Sequence, residues 1–207
     1  MKGMFITFEG CEGSGKTTLI NRLYDELLQM GKKVYKTREP GGVEIAEQIR
    51  NVILNVNNTK MDKRTEALLY AASRRQHLIE SVIPHLQDGY IVLCDRYIDS
   101  SLAYQGYARE IGVEEVLNVN LFATNGLLPD KTIYVDVKPE VGLSRIKTNN
   151  RNQNRLDLEQ MNFHKMVYEG YEKVAKMFPD RFIRINGEQE QEKVYKDCLE
   201  QILEIIK

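Results

Sequence analysis

Two rhythms of apolar residues alternate along this chain. Short runs rich in apolar and β-branched residues occur at Met4–Glu9, Lys33–Arg38, Tyr90–Asp95, Lys131–Val137 and Arg181–Asn186. Most lack a polar face, as in Ile91-Val92-Leu93-Cys94, which suits strands covered on both sides. Between these runs the apolar spacing changes to three or four. Leu19, Leu23, Leu27 and Met30 form one such stripe, and Gly31 supplies a stop. The same spacing predicts helices at Glu44–Leu54, Val113–Thr124, Pro139–Thr148, Leu158–Phe178 and Gln189–Ile206. A longer helix is predicted over Asp62–Leu86, bent or ended near Pro84. Strands that alternate with helices imply an α/β fold with a parallel sheet and right-handed crossovers.

In such folds ligands sit beyond the carboxyl ends of the strands. Three polar clusters fall at those ends: Glu9–Thr17, Arg38–Gly42 and Asp95–Gln105. Their convergence is therefore expected. One stretch breaks the rhythm, because residues 149–155 (Asn-Asn-Arg-Asn-Gln-Asn-Arg) contain no apolar side chain. Such a stretch is ordinarily a solvated turn between helices. Here it also reads as a short mobile lid, approximately 147–157, that carries Arg151 and Arg155.

Composition narrows the classes. The 207 residues carry 29 basic and 30 acidic side chains, so no nucleic-acid footprint is expected. No apolar run approaches a membrane span, and no signal-peptide pattern opens the chain. Cys11, Cys94 and Cys198 lie too far apart to suggest a disulfide framework, so a reducing, cytoplasmic setting is expected. The length fits one domain, 1–207.

The first polar cluster has the spacing G-x-x-x-x-G-K-T over Gly10, Cys11, Glu12, Gly13, Ser14, Gly15, Lys16 and Thr17, followed by Thr18. Its glycines let backbone N–H groups surround an anion, and the helix start adds its positive end. Lys16 can reach the β- and γ-phosphates, and the Thr17 hydroxyl can ligate Mg²⁺. Asp95 ends a strand and can approach the same metal, with Arg96 directed at an anion. Cys11 reads as a small apolar residue; a thiol of lowered pKa in the positive loop is the sharper alternative. Arg38-Glu39-Pro40-Gly41-Gly42 is a sharp turn with both charges at its lip, and Glu39–Pro40 is a candidate cis bond. Arg38, Arg50, Arg74 and Arg96 supply many guanidinium groups suited to phosphate. Arg50 and Arg74 sit on helical stretches, where arginine is ordinarily exposed. Tyr70 fits either the core or a stacked base. His77, His85 and His164 show no metal spacing.

Arginines without an obvious histidine base favour a phosphorylated acceptor. A monophosphate oxygen is mostly ionised at neutral pH, its second pKa being about 6, so no base is required. The residues thus point to an ATP-dependent kinase of a small phosphorylated molecule. Rival readings are a nucleoside kinase or another monophosphate kinase of the same fold, a GTPase-like switch, and a non-catalytic ATP-responsive module. The switch lacks its Asn-Lys-x-Asp and Asp-x-x-Gly motifs.

Three segments together resemble bacterial thymidylate kinases: Phe8-Glu9-Gly10-x-Glu12-Gly13-x-Gly15-Lys16-Thr17-Thr18, Thr37-Arg38-Glu39-Pro40-Gly41-Gly42, and Asp95-Arg96-Tyr97-x-x-Ser100-Ser101-x-Ala103-Tyr104-Gln105-Gly106. The resemblance implies a three-layer P-loop kinase fold with a five-stranded parallel sheet. It also implies transfer of the ATP γ-phosphoryl group to dTMP for dTTP biosynthesis, Mg²⁺ held by Thr17 and Asp95, and a homodimer through the 66–86 helix, where Ala67, Ala71 and Ala72 permit close packing. Arg38, Arg50 and Arg96 would hold the dTMP phosphate beside Glu39. Arg74 and Gln105 would meet the thymine edge near Ser101. Tyr70 would stack on the base, where the family more often has Phe, and Tyr104 would favour deoxyribose. With no arginine inside the phosphate loop, the chain resembles the subtype whose catalytic arginines, here Arg151 and Arg155, lie in the lid. The loop at 186–190 resembles the adenine side.

Overall fold

The computed structural model describes residues 3–148 and 155–206. Five parallel strands stand in the order β2-β3-β1-β4-β5. They are β1 (Met4–Glu9), β2 (Val34–Arg38), β3 (Ile91–Asp95), β4 (Lys131–Asp136) and β5 (Phe182–Asn186). All five expected strands form, each within a residue of its expected start. The helices are α1 (Lys16–Gln29), α2 (Glu44–Leu54), α3 (Lys63–His77), α4 (Ile83–Gln87), α5 (Ile98–Ser101), α6 (Val113–Thr124), α7 (Pro139–Thr148), α8 (Met161–Met177) and α9 (Gln191–Ile205).

Alternate residues of β1 face opposite ways and build two cores. Ile6 and Phe8 pack with Leu19, Leu23 and Leu27 of α1 and with Cys198 and Ile202 of α9. Phe5 faces the other side, with Leu78, Val82, Leu102 and Val116. Helices therefore cover both faces of the sheet, which is why its strands read as continuous apolar runs. A single β1 side chain such as Phe8, with no exposed surface, contributes roughly 1.5–3 kcal/mol by burial.

Two elements depart from plain α-helical periodicity. The long helix changes its winding just before Pro84, where a bend or end was expected. Asp62 caps its start by accepting from the amides of Arg64 and Thr65 at 2.9 and 3.1 Å. Then Leu78–Val82 widens into a π turn, and Ile83 N–H donates to the Leu78 carbonyl. Pro84 has no N–H to give and its ring crowds the preceding turn, so the backbone opens ahead of it. The second difference is Asp95–Gln105, read as a polar strand end. It turns helical at Ile98 and continues as a π segment over Leu102–Ala108. Most of that segment is buried, including Tyr104 and Gln105, as is Ser101 just before it, so no apolar stripe marks it. Register fixes the consequence: Phe8 and Arg38 both pair with Asp95. The three polar clusters thus leave the sheet at one level, side by side.

Candidate functional site

One cavity of about 610 Å³ opens at those strand ends. The phosphate loop lies in its middle. Toward β5 it is lined by Arg145, Gly187, Gln189 and Tyr195; toward β2 by Arg38, Glu39, Arg50, Tyr70, Arg74 and Gln105.

The loop adopts the strained backbone that its glycines permit. Gly13 has φ +72°, and a Cβ there would lie 2.0 Å from the Gly142 carbonyl oxygen. The loop is pressed against α7, which excludes any side chain at that point. Lys16 curls inward, and its ammonium donates to the carbonyls of Gly10 and Cys11 and to Ser14 Oγ at 2.9–3.0 Å. Burial and then the charge of Arg96 bring its pKa down to about 8. The Thr17 hydroxyl donates to Asp95 Oδ2 at 2.7 Å. A hydroxyl beside a carboxylate is the hard-oxygen chemistry that Mg²⁺ takes, with waters and phosphates completing its shell. Among the described residues there is no cluster of three or more His, Cys, Asp or Glu side chains fit for a metal. Cys11 is buried and its thiol is pushed up to about 12, because burial outweighs Lys16 and Arg96. Both the burial and the raised pKa run against an activated thiol.

Arg96 follows β3 with φ +71°. Its guanidinium spans the loop, donating to the Gly10 carbonyl at 3.0 Å, Tyr171 Oη at 3.1 Å and Glu12 Oε1 at 2.8 Å. Burial opposes its charge, yet Glu12 outweighs that and raises its pKa well above normal. The Tyr104 ring lies 5.1 Å from this guanidinium, and its hydroxyl donates to Glu12 at 3.3 Å. Beneath sits Glu9, wholly buried. Its carboxyl accepts from the Tyr97 amide at 2.7 Å, Ser100 Oγ at 2.5 Å and Tyr171 Oη at 2.9 Å. Burial first, and then the nearby Asp99 charge, raise its pKa to about 7.

At the β2 end the peptide bond Glu39–Pro40 is cis. Arg50 and Arg38 both donate to the Pro40 carbonyl, at 2.8 and 3.2 Å. Burial and then the like charge of Arg38 lower the Arg50 pKa, while Arg38 itself pairs with Glu47 at 2.9 Å. Arg74 is 2% exposed, against the usual habit of a helical arginine. Its Nε donates to Glu39 at 2.7 Å, Nη1 to Ser101 Oγ at 3.0 Å and also to Asn120, and Nη2 to the Tyr97 carbonyl at 2.9 Å. Glu39 also meets His77 Nδ1 at 3.0 Å. Burial alone would raise the Glu39 carboxyl, but Arg74 and His77 outweigh it and hold it low.

Of the two lid arginines, Arg151 lies outside the described residues. Arg155 is placed away from the phosphate loop. Its Nε donates to the Ile53 carbonyl at 2.9 Å and its Nη2 pairs with Glu66. Glu66 and His77 are contributors that the periodicity did not single out. With Tyr70 and Arg74 they recur at spacings of four, four and three along α3. A polar stripe of that period marks an inward helix face and was the available signal.

The small residues of α3 divide. Ala67 and Ala71 are buried inside the protomer, so neither is available to a partner helix. The outward stripe is Leu68, Ala72, Arg75 and Ile79. Arg75 donates to the Ala123 carbonyl of α6 at 3.3 Å. Beside it Phe122 is 90% exposed and Leu68 is 58% exposed.

A protein-family model described as thymidylate kinase matches residues 8–198. A thymidylate kinase of Bacillus velezensis is 58% identical over 100% of this chain and 98% of its own length. One from Bacillus pumilus is 55% identical over 100% and 98%. One from Clostridium novyi is 57% identical over 95% and 96%.

Proposed function

The chain belongs to the thymidylate kinase family, and from that premise we propose that it transfers the γ-phosphoryl group of ATP to dTMP, yielding ADP and dTDP for dTTP biosynthesis. The observation that carries the reading is one continuous cavity with a phosphate loop at its centre and arginines beyond it. Two anionic nucleotides that meet there need their repulsion cancelled more than they need a base. Nothing in the comparisons favours a deoxynucleoside kinase or another monophosphate kinase.

Gly10–Thr18 holds the ATP phosphates through backbone N–H groups, with the purine toward Arg145, Gly187 and Gln189. Arginine 145 already donates to the Gly187 carbonyl at 3.0 Å. Thr17 and Asp95 are the residues that would hold Mg²⁺, which when bound neutralises charge on the phosphates. Lys16 leaves the loop carbonyls for the phosphates. Arg38, Arg50 and Arg96 take the dTMP phosphate, near Glu39. Tyr70 stacks on thymine, while Arg74, Ser101 and Gln105 face its edge. Tyr104 fills the space a 2′-hydroxyl would need. The charge of the transferring group falls to Arg96 and Arg151, with Arg155 held on the acceptor side until nucleotide binds.

Residues 1–207 act as one catalytic domain in a reducing, cytoplasmic setting. No helix among the described residues is long and apolar enough to cross a membrane. We assign the outward side of α3, with exposed Leu68 and Ile79, and the exposed Phe122 of α6 to a homodimer contact. A coupled ADP-release assay with dTMP, dUMP, dGMP and thymidine as acceptors tests the reading. Activity with dTMP well above the others supports it. Strong thymidine turnover with little dTMP turnover overturns it.

A further inference from the structure

We infer that Glu66 is a positioning residue that sets which pyrimidine the site accepts, by fixing the orientation of the Gln105 side-chain amide. This deepens the reading of a thymidylate-phosphorylating site and rests on it.

Glu66 is 1% exposed. It receives the Gln105 Nε2 group at 2.8 Å on Oε1. Arg109 approaches the same carboxylate at 3.4 Å, and Arg155 Nη2 pairs with its Oε2. A carboxylate held between two guanidinium groups only accepts hydrogen bonds. The end of the Gln105 amide that faces it must therefore be the NH₂. An amide oxygen turned that way would set lone pairs against lone pairs in a buried place, which costs roughly a lost hydrogen bond or more. The orientation thus follows from chemistry and not from distinguishing O from N in coordinates.

What remains of Gln105 for the cavity it lines is its carbonyl oxygen, an acceptor. Arg74 offers the complement. A guanidinium has five N–H groups. Among the described residues Nε meets Glu39, Nη1 meets Ser101 and Asn120, and Nη2 meets the Tyr97 carbonyl. One Nη2 proton is left, and Arg74 lines the same cavity. The wall therefore presents one acceptor and one donor. A 4-keto pyrimidine matches that pair, with N3–H facing the acceptor and O4 facing the donor. Cytosine carries the reverse pattern, a bare N3 and an amino group, and meets like against like at both positions. Glu66 touches neither base nor phosphate, yet it decides the polarity of the edge.

The test is the ratio of kcat/KM for dTMP to that for dCMP, measured on the full chain. A matched pair of directional hydrogen bonds discriminates by roughly 10- to 100-fold. Glu66→Gln lets both amides turn, so the ratio falls by about tenfold or more while the KM for ATP stays near wild type. The double variant Glu66→Gln/Gln105→Glu reverses the donor and acceptor between the two positions and keeps the charge of the cluster. Position 105 then again presents only an acceptor to the base, and the ratio returns to within about threefold of wild type. If the single variant does not fold, the double variant decides alone. A double variant that folds but stays unselective overturns the inference, as does a Glu66→Gln enzyme that slows on dTMP and dCMP in equal proportion. A wild-type chain that leaves dTMP unphosphorylated marks a different failure, that of the underlying reading.

Discussion

Glu39→Gln removes a full negative charge from an enclosed ion pair at the site. Glu39 and Arg74 side chains are each 2% exposed and 2.7 Å apart. The native carboxylate accepts from Arg74 Nε and from His77 Nδ1, and His77 Nε2 meets Thr37 Oγ1 at 2.6 Å. Glutamine preserves shape but has one acceptor oxygen. If that oxygen takes Arg74, the NH₂ faces the His77 N–H, and the imidazole must change tautomer and turn the Thr37 hydroxyl. The larger effect is that Arg74 keeps its charge without a counter-charge. Breaking a buried pair from one side costs about 3–5 kcal/mol. For a protein of this length that lowers the melting temperature by roughly 6–20 °C and the urea midpoint by roughly 1–2 M with m unchanged. The native pair's pH dependence has a definite sign. The Glu39 carboxyl is held below its unfolded value. Its contribution is therefore full above the unfolded pKa and is lost as pH falls through the folded one. The wild type should lose stability on acidification more steeply than the variant. Urea curves at neutral pH and at two acidic values read both effects. A midpoint within error of wild type would refute the reasoning, because it would mean the Arg74 charge is compensated elsewhere. The exposed pair Lys165–Glu140, 3.4 Å apart, is the control, and Glu140→Gln should leave the curve in place.

Glu9 behaves oppositely, since its pKa rises from 4.5 to about 7 on folding. The unfolded chain releases this proton first, so wild-type stability falls as pH rises between these values, by on the order of 2–3 kcal/mol; Glu9→Gln should flatten that slope in thermal melts, and an unchanged slope would reject it. Lys16 loses its proton near pH 8 in the free protein, so kcat/KM for ATP should decline above that pH; a level profile to pH 9 would place the titration elsewhere. Phe122→Glu should shift the sedimentation coefficient from dimer to monomer with the melting curve little altered. A monomeric wild type would discard the assigned face.

The sequence alone determined the layered α/β order, because strands buried on both faces and helices with one apolar side leave unlike periodicities. It also placed the phosphate loop, since a glycine loop between strand and helix has one spacing that works. The convergence of the Glu9, Arg38 and Asp95 clusters followed from the rule that ligands gather at strand ends, and the register of Asp95 with Phe8 and Arg38 made it concrete. Other features were decided only in three dimensions. The π segment at Leu102–Ala108 is buried on nearly every side, so it carries no amphipathic stripe to read. The burial of Arg74 depends on four acceptors drawn from three separate stretches: Glu39, then Tyr97 and Ser101, then Asn120. No local spacing encodes such a set. The same holds for Arg155, which chemistry would send to phosphate and which tertiary contact instead ties to Glu66. Local patterns report which groups are able to act; long-range packing settles which partner each one meets, because a buried charge goes wherever its compensation has been folded into place.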